Sequence, residues 1–170
     1  MTLAIIGASG RNNLSYKLEN YEKMVEYAGN FIQINNITHL ISGGSSLSDH
    51  VAVKLFITGQ VKRLTLYLPC EFDLDSVQFE NRVEGRRLNQ LHNIFSTIIQ
   101  RHSRYELKEA ILRGAEIVIK RGFKNRNTYI AKSPLLLAFL TEGDVPKSGG
   151  TFDTWNKCSG QKVGIDIYSL

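Results

Sequence analysis

Apolar residues along this chain come in short blocks, and the blocks end in small residues. Leu3-Ala4-Ile5-Ile6 runs into Gly7-Ala8-Ser9-Gly10, and Thr38-His39-Leu40-Ile41 runs into Ser42-Gly43-Gly44-Ser45. A third block, Arg63-Leu64-Thr65-Leu66-Tyr67-Leu68, stops at Pro69. Short apolar runs closed by glycine or proline predict strands of a parallel sheet covered on both faces. Between the first two blocks the spacing turns helical, with Leu18, Tyr21, Val25, Ala28 and Ile32 marking a helix within residues 16–34. Residues 47–56 predict a second helix, capped by Ser48 or Ser46. Strand, helix, strand, helix, strand is a βαβαβ unit, and the right-handed crossover rule leads from it to a doubly wound, mostly parallel α/β sheet.

The second half is less uniform. Residues 70–86 show no clear period, residues 88–100 and 105–113 predict helices, and 115–119 predict a short strand. A helix over 127–133 precedes the buried strand Leu135-Leu136-Leu137-Ala138-Phe139-Leu140, and 161–167 predicts the last strand. No linker, repeat or low-complexity stretch divides the chain, so residues 1–170 are read as one Rossmann-like domain.

Composition narrows the function classes. At 170 residues and 42% hydrophobic, the chain buries a core without metal or disulfide staples. It has no apolar run near the ~20 residues a membrane span needs. The amino terminus reads as a strand rather than a signal peptide, so a cytoplasmic protein with no membrane partner is expected. Cys70 and Cys158 lack C-x-x-C spacing and predict reduced thiols, and four scattered histidines predict no metal site. No cofactor is expected. The net charge of +5, with basic residues crowding 101–132, favours anionic ligands without demanding nucleic acid.

The turns carry the candidate chemistry, because in an open α/β sheet the turns after the strands converge on one crevice. In the first, Gly7, Ser9, Arg11 and Asn12 suit backbone approach to an anion, with Arg11 adding charge; a plain tight turn fits the same residues. The second, Gly43-Gly44-Ser45 with its flanking serines, has the composition of a phosphate cradle, or of a capped strand-to-helix turn. Asp49 and His50 follow it, as a dipole-matching acid and a surface imidazole or as an acid–base pair. The third is Lys147-Ser148-Gly149-Gly150-Thr151-Phe152-Asp153. There Thr151 caps a helix, Asp153 suits a ribose hydroxyl pair, and Trp155 fills core or stacks on a base.

Ile41-Ser42-Gly43-Gly44 leading to Asp49 and Ala52, with Gly149-Gly150-Thr151 opening a later helix, resembles the SLOG superfamily. That group unites the DprA/Smf proteins with the Lonely-guy (LOG) phosphoribohydrolases and with nucleotide-sensing domains. Gly122-Phe123-Lys124-Asn125-Arg126-Asn127 is similar to a GF-x-x-RN segment of phage and bacterial members. The resemblance spans Ala4 to Val163 and implies a Rossmann-like nucleotide site, Arg126 turned toward phosphate, and a homodimer or higher homo-oligomer. The chain departs from LOG enzymes at two places. Ile94 stands where they carry an arginine, and no glutamate occupies the matching step after Gly149-Gly150.

Three readings follow. The first is a module that binds a phosphorylated nucleotide or an ADP-ribose-like signal at the carboxyl edge of the sheet. It uses Gly7, Gly43 and Gly149 amides, Arg11 and Arg126 on solvent-facing turns, and Asp153 on ribose. The second is a hydrolase of the nucleotide N-glycosidic bond, with Asp153 or Glu142 as its acid–base group. The third, single-stranded DNA binding, ranks last because the basic stretch lacks interleaved aromatic residues.

Overall fold

The computed structural model describes residues 1–11 and 14–170. The chain opens as β1 (Thr2–Gly7), α1 (Leu18–Ile34), β2 (His39–Ser42), α2 (Ser48–Ile57) and β3 (Arg63–Leu68). A small hairpin, β4 (Phe72–Asp73) and β5 (Gln78–Phe79), leads to α3 (Val83–Ile99) and α4 (Ser103–Leu112). Then come β6 (Glu116–Ile119), α5 (Phe123–Ile130), β7 (Leu135–Leu140), α6 (Gly149–Lys157) and β8 (Gln161–Asp166). Six strands form one parallel sheet in the order β6-β3-β2-β1-β7-β8. The fold is Rossmann-like α/β, with the strand order switching direction between β1 and β7.

Side-chain alternation shows why the sheet is covered twice. Leu3 and Ile5 enter the larger core with residues of α1, α2, α3 and α4, whereas Ala4 and Ile6 enter a smaller core with Ile130 and Ala131. In β7, Leu135, Leu137 and Phe139 belong to the larger core, and Leu136, Ala138 and Leu140 to the smaller one. All six residues of β7 are buried. An unbroken apolar run is therefore what this strand requires. No helix among the described residues is long and apolar enough to cross a membrane.

The second half differs from the sequence expectation at its helix starts. Helix α5 begins at Phe123, four residues before the expected start, because Gly122 (φ 88°) turns the chain just ahead of it. Helix α3 begins at Val83, and the irregular segment before it holds the β4–β5 hairpin, closed by Phe72 against Phe79. Helix α2 has Leu47 (φ 53°) at its cap position, and no side chain caps it. Ser46 and Ser48 instead donate to the Ser9 and Ala8 carbonyls, at 2.6 Å each. His50 is fully buried, not a surface imidazole.

His50 belongs to an ionic cluster that joins α2 to α4. Its Nε2 donates to Glu106 Oε1 at 3.0 Å, while Lys54 Nζ and Arg101 Nε reach Glu106 Oε2, each at 3.0 Å. Burial pushes the Glu106 carboxyl up, but the hydrogen bonds and charges of His50 and Lys54 outweigh it and hold it at about 2, from an ordinary 4.5. On acidification the unfolded chain takes up this proton first. The stabilisation is therefore complete above about pH 4.5 and drains away as pH falls toward 2. Glu106→Gln is expected to cost roughly 3 kcal/mol at pH 7, with the deficit narrowing at pH 3. Urea denaturation at both values measures it, and an equal deficit at both would exclude the ion cluster as the source.

Candidate ligand-binding cleft

A cleft of about 840 Å³ opens at the switch point, above the carboxyl ends of β1 and β7. Its position follows from the strand order: chains leaving β1 and β7 diverge, so the space between them stays unfilled. Gly7 sets the first wall. Its φ is 142°, and a Cβ there would collide with the Phe139 carbonyl, to which the Ala8 N–H donates at 2.9 Å. The turn after β1 is thereby hooked onto β7, and Ser9, Gly10 and Arg11 face the cleft.

The second wall is the turn after β2, and here composition misleads. Ser42 Oγ donates to the Asp49 carbonyl and accepts from the Gly44 N–H, and the Ser45 N–H donates to Asp49 Oδ2 at 3.0 Å. Most of the hydroxyls and amides of this turn are spent within the protein. Ser45 reaches the cleft; Gly43 and Gly44, expected there, lie one layer beneath it. The Gly44 carbonyl accepts from His92 Nε2 at 2.9 Å, and His92 Nδ1 meets Ser103 Oγ at 2.8 Å. Burial, then the charge of His50, lowers His92 to about 3, so this imidazole is a neutral strut for the turn.

The Gly43 carbonyl accepts from Arg126 Nη1 at 2.6 Å, and the same nitrogen lies 3.7 Å from Asp49 Oδ2. Any Cβ at Gly43 would occupy the guanidinium's place. Arg126 is 7% exposed, which corrects the expected solvent-facing turn, although it still lines the cleft. The reason is the earlier start of α5, which carries the arginine inward over β2. Burial raises the Asp49 pKa, against the opposing pull of Arg126 and the Ser45 amide. Among the described residues, Ser45 Oγ and Arg126 Nε are buried without a hydrogen-bond partner.

The third wall is α6. Ser148, not Thr151, occupies its cap position, so Gly149, Gly150 and Thr151 form its first turn, and all three line the cleft. Asn127, also at the wall, donates to Asp153 Oδ2 at 3.2 Å, and Lys157 Nζ reaches the same oxygen at 3.0 Å. Glu142 lines the rim, paired with Lys147 at 3.1 Å with both side chains exposed. Trp155 packs against the smaller core away from the cleft, and Phe123 is the aromatic residue on its wall. Asn12 lies outside the described residues.

Phe123, Lys124 and Arg87 are cleft residues that sequence reasoning did not select. Arg87 sits on α3, far from any glycine turn, and no local signal marks it. Phe123 was within reach, as the aromatic of the GF-x-x-RN segment. Its ring lies 5.7 Å from Arg11 Cζ and 5.4 Å from Arg126 Cζ, so it spaces two guanidiniums.

Arg126→Ala is expected to destabilise the fold by ~3 kcal/mol or more, because Asp49 is left buried without its cation. Arg11→Ala, on an exposed turn, should change stability by less than about 0.5 kcal/mol. Chemical denaturation of both variants decides it; equal stabilities would return Arg126 to the surface cations.

No protein-family model matches the chain. It is 37% identical over 175 residues to the uncharacterized protein R261 of Acanthamoeba polyphaga mimivirus, an alignment covering 97% of this chain and 95% of that protein. With likeness extending from end to end, the chain belongs to the family of this mimivirus protein.

Proposed function

We propose that the cleft binds a phosphorylated nucleotide or a nucleotide-derived signal of the ADP-ribose type, as a sensing or sequestering module. The observation that carries this reading is the amino end of α6 opening on the cleft beside buried polar atoms that lack partners. The first N–H groups of a helix have no intrahelical acceptor, and the helix dipole makes that end positive. A phosphate there receives the amides of Gly149, Gly150 and Thr151. Nothing stands within 4 Å of where a Gly149 side chain would begin. The Ser45 hydroxyl and Arg126 Nε are the orphans that such an anion satisfies.

Asp153 has one oxygen fixed by Asn127 and Lys157, and its other oxygen carries no bond among the described residues. A short carboxylate held in this way suits a ribose diol. Ile6, Leu14, Ile130 and Leu140 give the cleft an apolar stretch for a base. The resemblance to SLOG proteins supports the same ligand class and extends the reading to a homodimer or higher homo-oligomer, proposed here as cytoplasmic. Binding without turnover is the leading form of the proposal, since Asp153 is tied to a lysine and Glu142 is paired at the rim.

Gly150→Asp tests the phosphate position. A Cβ at Gly150 meets only Asn127 Nδ2, at 3.7 Å, and a carboxylate suits the positive end of a helix. The melting temperature should hold or rise while nucleotide affinity falls at least about tenfold. Unchanged affinity would remove phosphate from α6. Incubation with nucleoside monophosphates, NAD and ADP-ribose, followed by chromatography, should return intact ligand. Free base released over many turnovers, and lost in Asp153→Asn, would establish the hydrolase instead.

A further inference from the structure

The cleft carries more positive charge than one phosphate monoester requires. Five cationic side chains line it, Arg11, Arg87, Lys124, Arg126 and Lys147, against three carboxylates, Asp49, Glu142 and Asp153. Each carboxylate is already engaged: Asp49 with Arg126 at 3.7 Å, Glu142 with Lys147 at 3.1 Å, and Asp153 with Lys157 at 3.0 Å. Arg11, Arg87 and Lys124 are left without an ion pair among the described residues. They come from three separate elements, the turn after β1, helix α3 and helix α5.

We infer that Arg11, Arg87 and Lys124 form a second anion subsite beside the amino end of α5, and that the ligand carries two phosphate groups. The inference rests on the nucleotide reading above and specifies its ligand as a nucleoside diphosphate or a pyrophosphate-bridged nucleotide. Three observations support it beyond the charge count. The guanidinium of Arg11 is held over Phe123, which keeps it in the cleft. Its pKa is lowered, first by burial and then by Arg87, against a pull from Asp49, so the two arginines repel each other while neither has an ion-pair partner among the described residues. An anion between them removes that repulsion.

The third observation concerns the helices. α1, α2, α3 and α4 each have an acidic residue in the first turn, Glu19, Asp49, Glu84 and Glu106. α5 and α6 have none. α5 instead places Lys124 and Arg126 there, cations at the positive end of a dipole. That arrangement is unfavourable in the empty protein and favourable around an anion. Arg126, buried with its Nε lacking a partner, sits in this turn and belongs to both subsites. A cleft of about 840 Å³ accommodates a ligand of this size.

Calorimetric titration at constant ionic strength tests the subsite, with AMP against ADP, GMP against GDP, ADP-ribose, and inorganic phosphate against pyrophosphate. The diphosphate of each pair should bind about 10- to 100-fold more tightly than its monophosphate, as expected for added charge-assisted contacts. Arg87→Gln and Lys124→Gln should each erase most of that gap while leaving AMP affinity within about twofold. Thermal melting confirms that both variants fold. Mono- and diphosphates of equal affinity, or a gap that survives both substitutions, would overturn the second subsite and leave the nucleotide reading in place. Failure of every probe to bind would remove both.

Discussion

A guanidinium taken out of water needs its charge and its N–H groups met, and Arg126 meets the charge with Asp49 and one N–H with a backbone carbonyl while its Nε stays unpaired. The consequences run outward from this contact. Arg126 arrives from the α5 side of the sheet, while Gly43 and Asp49 belong to the turn and helix that pack on the other side. The contact thus closes the sheet's carboxyl edge like a rivet. It requires glycine at position 43, since any side chain would fill the guanidinium's place. It opposes the burial that raises the Asp49 pKa. It also fixes the amino end of α5 beside the β2 turn, which puts Phe123 and Lys124 on the cleft wall.

Behind that turn lies a second layer that bears no ligand and still determines the site. His92 holds the Gly44 carbonyl from α3, and Glu106 clamps α2 to α4 through His50 and Lys54. A turn supported in this way cannot reorganise to wrap an anion. What the support leaves free is chiefly the amides at the start of α6 and the cations without an ion pair. This division explains why the two glycine-rich turns differ in kind. Around Gly43 the glycines make room for protein, and around Gly149 they leave room beside the cleft.

The strands were legible because burial on both faces forces an unbroken apolar run, as in β7, and the chain must turn at once where the run ends. The cleft was legible for the same reason, since its walls are those turns. Individual atoms were not. The serines around Gly43 and Gly44 have the composition of a phosphate cradle or of a helix cap, yet the hydroxyls of Ser42, Ser46 and Ser48 meet protein carbonyls, and sequence does not reveal which way a hydroxyl points. Arg126 read as part of a solvent-facing turn because α5 was expected to start at 127; starting at Phe123, the helix includes Arg126 in its first turn, against the β2 turn. Arg87 gave no signal at all, because what brings it to the site is the packing of α3, a tertiary fact.

The charge distribution separates positioning from recognition. Among cationic residues of the cleft, Arg126 and Lys147 have protein carboxylates, and their charges are largely spent on the fold or the rim. A residue of that kind shapes the cavity but adds little net field, since its partner cancels it within a few ångströms. Arg11, Arg87 and Lys124 supply the field that extends into the cleft, and they lie on one turn and two helices held by different parts of the core. Arg11 and Arg87 repel each other, and neither has a carboxylate partner among the described residues. On the proposed reading it is these unpaired cations, rather than any glycine signature, that favour a second phosphate.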